Sequence, residues 1–521
     1  MSSITSRELS ELMASNSLYA VFDVRERGEY NARQISFATS LPRSQIEFRI
    51  DELAPNRTIP LVVYDEGGRR AALAARTLSE LGYANVAVLD GGLAGWERDG
   101  RPTATGVNVP SKAFGEKVQH EQAVPDISPE DLKRLLDGNS DLVIFDVRTP
   151  EEYGRFCIPG GLNVPGGDLI LWAEALKQKP ETKVIVNCAG RTRSIIGTAA
   201  LGRLGLTNVL ELRNGTMGWV LAGFELETKP VRRGPLAPAE SRAKADELAL
   251  RIAKEEQIRW ISTEEIIDAA TGNIQGVTYL IDVRSEDEYE TGHIAGSIAV
   301  PGGQAVQRAD DFIAVRNARV VFVSERFARA VMAAYWYGRM GLGNVSVLQG
   351  GIQGWLESGR GLVRGPNRKE PLGYDSGKKS ARLRTPPELQ SVLRDSTMTI
   401  LDVGASSDYK TAHIPNAKWL SRGWLEENLP HHVPKKDSPL LITCPDGRQS
   451  VFAARTLAST GYTNVLVVDG GVRAWQAAGY PTEGGMTSCW SDVNDVVLSP
   501  SITGDRQAMR RYLDWEVQLK Q

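Results

Sequence analysis

The sequence predicts an α/β protein of four tandem domains, each a mostly parallel sheet flanked by helices. Three observations carry that reading. Apolar runs of strand length alternate with helix-period segments along the whole chain. One unit recurs four times: "AVFDVRERGEY", "VIFDVRTPEEY", "YLIDVRSEDEY" and "TILDVGASSDY" each end an apolar run on an aspartate followed by a tyrosine, as Asp23/Tyr30, Asp146/Tyr153, Asp282/Tyr289 and Asp402/Tyr409. A second landmark, "DGGLAGW", "RNGTMGW", "QGGIQGW" and "DGGVRAW", closes each unit on Trp96, Trp219, Trp355 and Trp475. Counting 42 residues from each aspartate reaches Asp65, Cys188, Ser324 and Cys444, and 27 more reach Gly92, Gly215, Gly351 and Gly471. No insertion intervenes, so the four units compare position by position.

The second repeat shows the elements in order. Ser128-Pro129-Glu130-Asp131 opens a helix, with serine as N-cap, proline in the first turn and an acid at the capping-box position. "DLVIFDV" is then a strand, "EEYGRF" a short helix, "KVIVN" a strand, Ser194 to Leu204 a helix and "NVLEL" a strand. In such a fold ligands bind beyond the carboxyl ends of the strands, where Cys188 falls. The expected domains are 1–104, 125–229, 257–362 and 383–484, with a tail over 485–521 that ends in an amphipathic helix of no legible function. The linker between repeats 2 and 3 reads as a charged helix from about Glu240 to Glu256 that bridges two pairs of domains. The recurring Asp-Val-Arg, as at Asp146 and Arg148, reads as a buried charge pair that orders each domain.

Composition narrows the function. A chain of 521 residues with net charge -3 and interspersed acids and bases gives no reason to expect nucleic acid or an anionic membrane as partner. No apolar run has signal-peptide or membrane-span length, which points to the cytoplasm. Cys157, Cys188, Cys444 and Cys489 are too few for a disulfide framework. With no C-x-x-C, no H-E-x-x-H and only five histidines, no metal and no cofactor are expected.

Chemistry concentrates in "VIVNCAGRTRS", Val184 to Ser194, a strand that stops on a thiol and opens into a cationic turn. Backbone amides from Ala189 through Gly190, Arg191 and Thr192 to Ser194 are placed to form an anion-binding nest at a helix N-terminus. That helix end, Arg191 and Arg193 are expected to draw the thiol down from ~8.5 toward neutrality. A nucleophile and an anion receptor on one loop suit attack on sulfur bearing an anionic leaving group, or on a phosphate ester.

With "DVR…EY", the "GHI" turn at Gly292-His293-Ile294 (Ala412-His413-Ile414 in the fourth repeat), the loop at Cys188 and the closing "GG…W", the chain resembles four tandem rhodanese domains. The resemblance covers all but the linkers and tail. It implies a sulfurtransferase in which Cys188 attacks the outer sulfur of thiosulfate or a related small anionic donor. Sulfite leaves, and the persulfide passes to a thiol, cyanide or protein acceptor. Arg193, with Arg191 and the loop amides, would then meet the donor anion. Phosphatases on this fold place the arginine one residue further on. The shorter loop here suits a persulfide better than a phosphate.

The other loops differ. Repeat 1 has Asp65 and repeat 3 has Ser324 at the cysteine position, so neither is expected to be active. Repeat 4 keeps Cys444 but carries Pro445, Asp446 and Gln449, which leaves it open as a second site, a relay or a relic. Cys157 takes the place of His293 and His413 and reads as packing, with a resolving role as the weaker option. Cys489 reads as an apolar filler. The alternative to an enzyme is a sulfur carrier or scaffold built from degenerate domains.

Overall fold

The computed structural model describes residues 2–270, 276–366, 369–394 and 398–519. Asn367 and Arg368 of the third linker, and the last two residues of the tail, lie outside them. Each repeat builds a five-stranded parallel sheet in one order. In repeat 2 that order is Leu162–Asn163, Leu142–Asp146, Lys183–Asn187, Val209–Leu212 and Asp126–Ile127, and repeats 1, 3 and 4 follow it. The central strands are covered on both faces, so they read as unbroken apolar runs: Val184, Ile185 and Val186 are all fully buried.

The recurring residues tie each unit together. Asp146 receives Arg148 side on, at 2.7–3.1 Å, and Arg148 also donates to the Phe156 carbonyl at 2.6 Å. Asp23–Arg25 and Asp282–Arg284 repeat the pair. Each landmark tyrosine donates its hydroxyl to a carbonyl eight residues on, as Tyr153 does to Gly161 and Tyr409 to Ala417. Each tryptophan donates its indole N–H six residues on, as Trp219 does to Glu225 and Trp475 to Pro481. These bonds satisfy the one polar atom on each buried ring.

The repeats pair in an order the linker did not suggest. One compact unit comprises Met1–Val107 with Lys369–Val497, which joins repeats 1 and 4; the other comprises Asn108–Arg368 with Leu498–Gln521, which joins repeats 2 and 3. The charged helix, Ala239–Glu255, therefore lies within the second unit, between its two repeats, where Ala245, Ala249 and Ile252 are buried. In that unit Gly166 and Gly167 of repeat 2 meet Gly302 and Gly303 of repeat 3 backbone to backbone. A Cβ on Gly167 would stand 3.0 Å from the Gly302 nitrogen.

Candidate functional site

Cys188 follows the central strand Lys183–Asn187 and is 2% exposed. The next helix, Thr192–Arg203, starts two residues earlier than its apolar spacing suggested. The loop is clamped from below. Thr216 and Met217 donate their amides to the carbonyls of Cys188 and Ala189 at 2.9 and 3.1 Å. Gly215, at φ +55, makes that approach possible, because any Cβ there would run into the Cys188 carbonyl.

Both arginines point to carboxylates of the chain, in contrast to the free cationic turn expected from sequence. Arg193 makes a bidentate pair with Glu152 at 2.6 and 2.8 Å. Arg191 makes another with Glu116, of the helix Val109–Glu121, at 2.5 and 2.9 Å, and donates to Asn214 at 3.2 Å. The thiol also departs from expectation. Burial pushes Cys188 above the ordinary cysteine value; Arg193 and hydrogen bonding with Ser194 pull against that rise, and Glu211 adds to it.

Residues that sequence reasoning passed over complete the surroundings. The Cys188 Sγ lies 3.4 Å from the Ser194 hydroxyl, which in turn stands 2.9 Å from the Glu211 carboxylate. The tail returns to this loop: its helix, Arg506–Gln518, sets Glu516 to accept from the Thr192 hydroxyl at 2.7 Å and lays Tyr512 beside Gly190. The Lys112 ammonium sits about 5 Å from the rings of both Tyr512 and Trp515. Of these residues only Glu152 left a signal, since Glu29, Glu152 and Glu288 stand at one fixed distance from their aspartates.

The equivalent loops show what the geometry holds. In repeat 1 the Asp65 carboxylate accepts from the amides of Gly68, of Arg70 at 2.6 Å and of Ala71 at 3.1 Å. In repeat 3 Ser324 takes the nucleophile position, and Asp246 accepts from the amides of Phe327 and Ala328 at 3.1 and 2.9 Å. In repeat 4 Asp446 is tied to Arg448 of its own loop, and burial pushes the Cys444 thiol up to about 11 with no arginine opposing it. Cys157 is buried and raised to about 11, and lies 3.9 Å from the Arg232 guanidinium. Cys489 is exposed, which corrects its reading as a filler.

A family model described as the rhodanese-like domain matches residues 5–99, 128–222, 264–358 and 385–478. The crystal structure of a thiosulfate sulfurtransferase from Pseudomonas aeruginosa is similar over 100% of this chain and 97% of its own, at 37% identity and a TM-score of 0.92. Thiosulfate sulfurtransferase GlpE of Pseudomonas savastanoi pv. phaseolicola is 32% identical over 102 residues, which are 19% of this chain and 92% of the relative. The protein of the same name from Pseudoalteromonas translucida is 34% identical over 89 residues, 17% of this chain and 81% of the relative. Four matches set on the four structural repeats, and likeness along the full length, lead to one conclusion: the chain belongs to the rhodanese family, as four tandem rhodanese-like domains.

Proposed function

We propose that this protein is a sulfurtransferase that carries sulfane sulfur as a persulfide on Cys188, taken from thiosulfate or a related anionic donor and passed to a thiol, cyanide or protein acceptor. The observation that carries the reading is Asp65. It stands at the nucleophile position of its repeat. Although Gly68 is left-handed where the equivalent Arg191 of repeat 2 has a negative φ, the helix-start amides of Arg70 and Ala71, equivalent to those of Arg193 and Ser194, converge on one of its carboxylate oxygens. A carboxylate oxygen is as many bonds from Cα as the outer sulfur of a cysteine persulfide. The loop therefore stabilises negative charge where a loaded Cys188 would place it. In the loading step the Cys188 thiolate attacks the outer sulfur of thiosulfate, a new S–S bond forms, and the old one breaks with its electron pair leaving on sulfite. The persulfide anion keeps the single charge that the thiolate held.

Arg193 supports this chemistry by fixing the loop through Glu152 and by its field at the sulfur, and Arg191 by holding the loop's outer turn against Glu116 and Asn214. Membership of a family whose relatives bear sulfurtransferase names favours an enzyme over a scaffold. For the fourth repeat we infer poor direct loading, because Cys444 lacks the arginine and its thiol is raised to about 11. The deciding experiment is intact mass after incubation with thiosulfate, followed by peptide mapping. Gain of one sulfur on the Cys188 peptide, lost in Cys188→Ser, is expected; undiminished gain in that variant refutes the assignment. In the same variant Cys444 is expected to gain little sulfur from thiosulfate.

A further inference from the structure

Glu211 is out of place in its strand. It is fully buried on Val209–Leu212, where the matching positions of the other repeats carry Val88, Val347 and Val467. A carboxylate at a position that Val347 and Val467 fill as buried valines costs stability unless it is paired or held neutral. Its partner is Ser194, whose equivalents are Ala71, Ala330 and Ser450. Only repeat 2 therefore combines cysteine, serine and glutamate. In repeat 4 the serine is kept as Ser450, beside Cys444, but the position of the acid is Val467. The distances in repeat 2 form a chain: 3.4 Å from Cys188 Sγ to Ser194 Oγ, and 2.9 Å from Ser194 Oγ to Glu211 Oε2, with the Arg191 carbonyl, 2.8 Å from the same hydroxyl, as a second acceptor for its proton.

We propose that Glu211 is the proton store of the Cys188 site, taking the thiol's proton through Ser194 when the sulfur becomes anionic and returning it when the sulfur is discharged. In the forward direction the S–H bond breaks, its proton forms an O–H bond on Ser194, and the proton Ser194 held passes to Oε2 of Glu211. One negative charge moves from carboxylate to sulfur, with no change of oxidation state and no co-reactant. Discharge to an acceptor reverses it. Glu211 is a positioning residue in this scheme, since it reaches the sulfur only through Ser194.

Its surroundings fit the task. Burial raises Glu211 to about 8; Arg191 and the Ser194 hydrogen bond lower it, while Asp126 and Glu116 raise it further. Glu211 also acts on Arg213 and Cys188, so both belong to its charged and titratable surroundings. Two acids this close cannot both ionise without mutual repulsion, so the pair is expected to lose its protons in two separate steps.

The inference rests on the reading of Cys188 as the sulfur carrier, but its main test does not. Thiolate ultraviolet absorbance is titrated in the full-length protein against Cys188→Ser, and again in Glu211→Gln against the matching double variant. Two inflections are expected with Glu211 present and a single one in Glu211→Gln. Glu211→Val, which installs the residue of the other repeats, gives the same loss if the amide variant folds poorly. A single inflection in the unmodified protein, superimposable on that of Glu211→Gln, overturns the proposal. Proton release during loading with thiosulfate, above the midpoint of Glu211, gives a second readout. Near-zero release is expected with Glu211 and about one proton per sulfur without it; equal release overturns the proposal. If no sulfur loads, the function assigned to Cys188 fails, and the titration still decides the fate of the proton store.

Discussion

Arg193 and Glu152 show how a residue pair can look catalytic and be architectural first. Arg70–Glu29 in repeat 1 and Arg329–Glu288 in repeat 3 form the same bidentate pair at 2.7 Å, in loops that have no cysteine. A contact kept where there is no nucleophile holds the loop; in repeat 2 its field at the sulfur is an addition. Arg193→Lys should therefore fail to restore what Arg193→Ala loses, because lysine offers no planar fork to the carboxylate. Both are expected to slow loading at saturating thiosulfate by on the order of 10²-fold, as displaced reacting groups do. A change confined to KM would show instead that the guanidinium meets the donor. The carboxylates of the other unit give a pH signature. Glu26 is buried beside Ser421 and pushed by that burial up to about 7, above its unfolded value. A folded value above the unfolded one gives stability that is full in acid and falls as pH rises toward 7. Glu26→Gln is expected to flatten that decline in thermal melts between about pH 4.5 and 7; an unchanged slope would show that Glu26 does not drive it.

At the scale of elements, the C-terminal helix is the part of the site that the sequence hid. Asp505 caps it by accepting from Gln507 and Ala508, and Met509 and Leu513 pack on Met217 beneath the loop. An amphipathic helix was legible there because its apolar residues recur at helical spacing. Its docking place was not, since the contact from Glu516 to Thr192 joins residues far apart in sequence and no local pattern encodes it. The four aspartates, tyrosines, tryptophans and glycines were legible for the opposite reason: each bonds or abuts a residue at fixed short range within its own repeat. Glu211 was missed because one acid in a strand reads as an exposed position until burial is known. Removal of residues from Ser499 onward is expected to raise the alkylation rate of Cys188 several-fold, because Tyr512 and Glu516 no longer cover Gly190 and Thr192. An unchanged rate at the mapped Cys188 peptide would mean that the reagent reaches the sulfur by another face.

At the scale of the molecule, the question is why repeat 1 joins repeat 4 and repeat 2 joins repeat 3. The matching positions 20 and 24 residues after each aspartate hold the answer: Arg43 and Glu47, Gly166 and Ile170, Gly302 and Val306, Arg422 and Glu426. In the first unit the contacts are reciprocal, with Arg43 on Glu426 at 2.5 and 2.9 Å and Arg422 on Glu47 at 2.5 and 3.0 Å, all four side chains largely buried. In the second unit the glycines meet backbone to backbone with Ile170 and Val306 beside them, and an ion pair between the two repeats, Arg329 on Asp168 at 2.7 Å, lies at other positions. A charged face set on an apolar one would bury ions without partners, so each repeat rejects the wrong mate. Arg422→Ala tests this, because it leaves Glu47 buried and alone. A cost of about 3–5 kcal/mol is expected, whereas Arg422→Met combined with Glu47→Met, which removes both charges, should recover most of it. Calorimetry is the suitable measurement, since a chain of several domains has no single unfolding midpoint. The transition of the unit built from repeats 1 and 4 should move down in the single variant and return in the double one. A double variant no better than the single would show that shape, and not charge, matches these repeats.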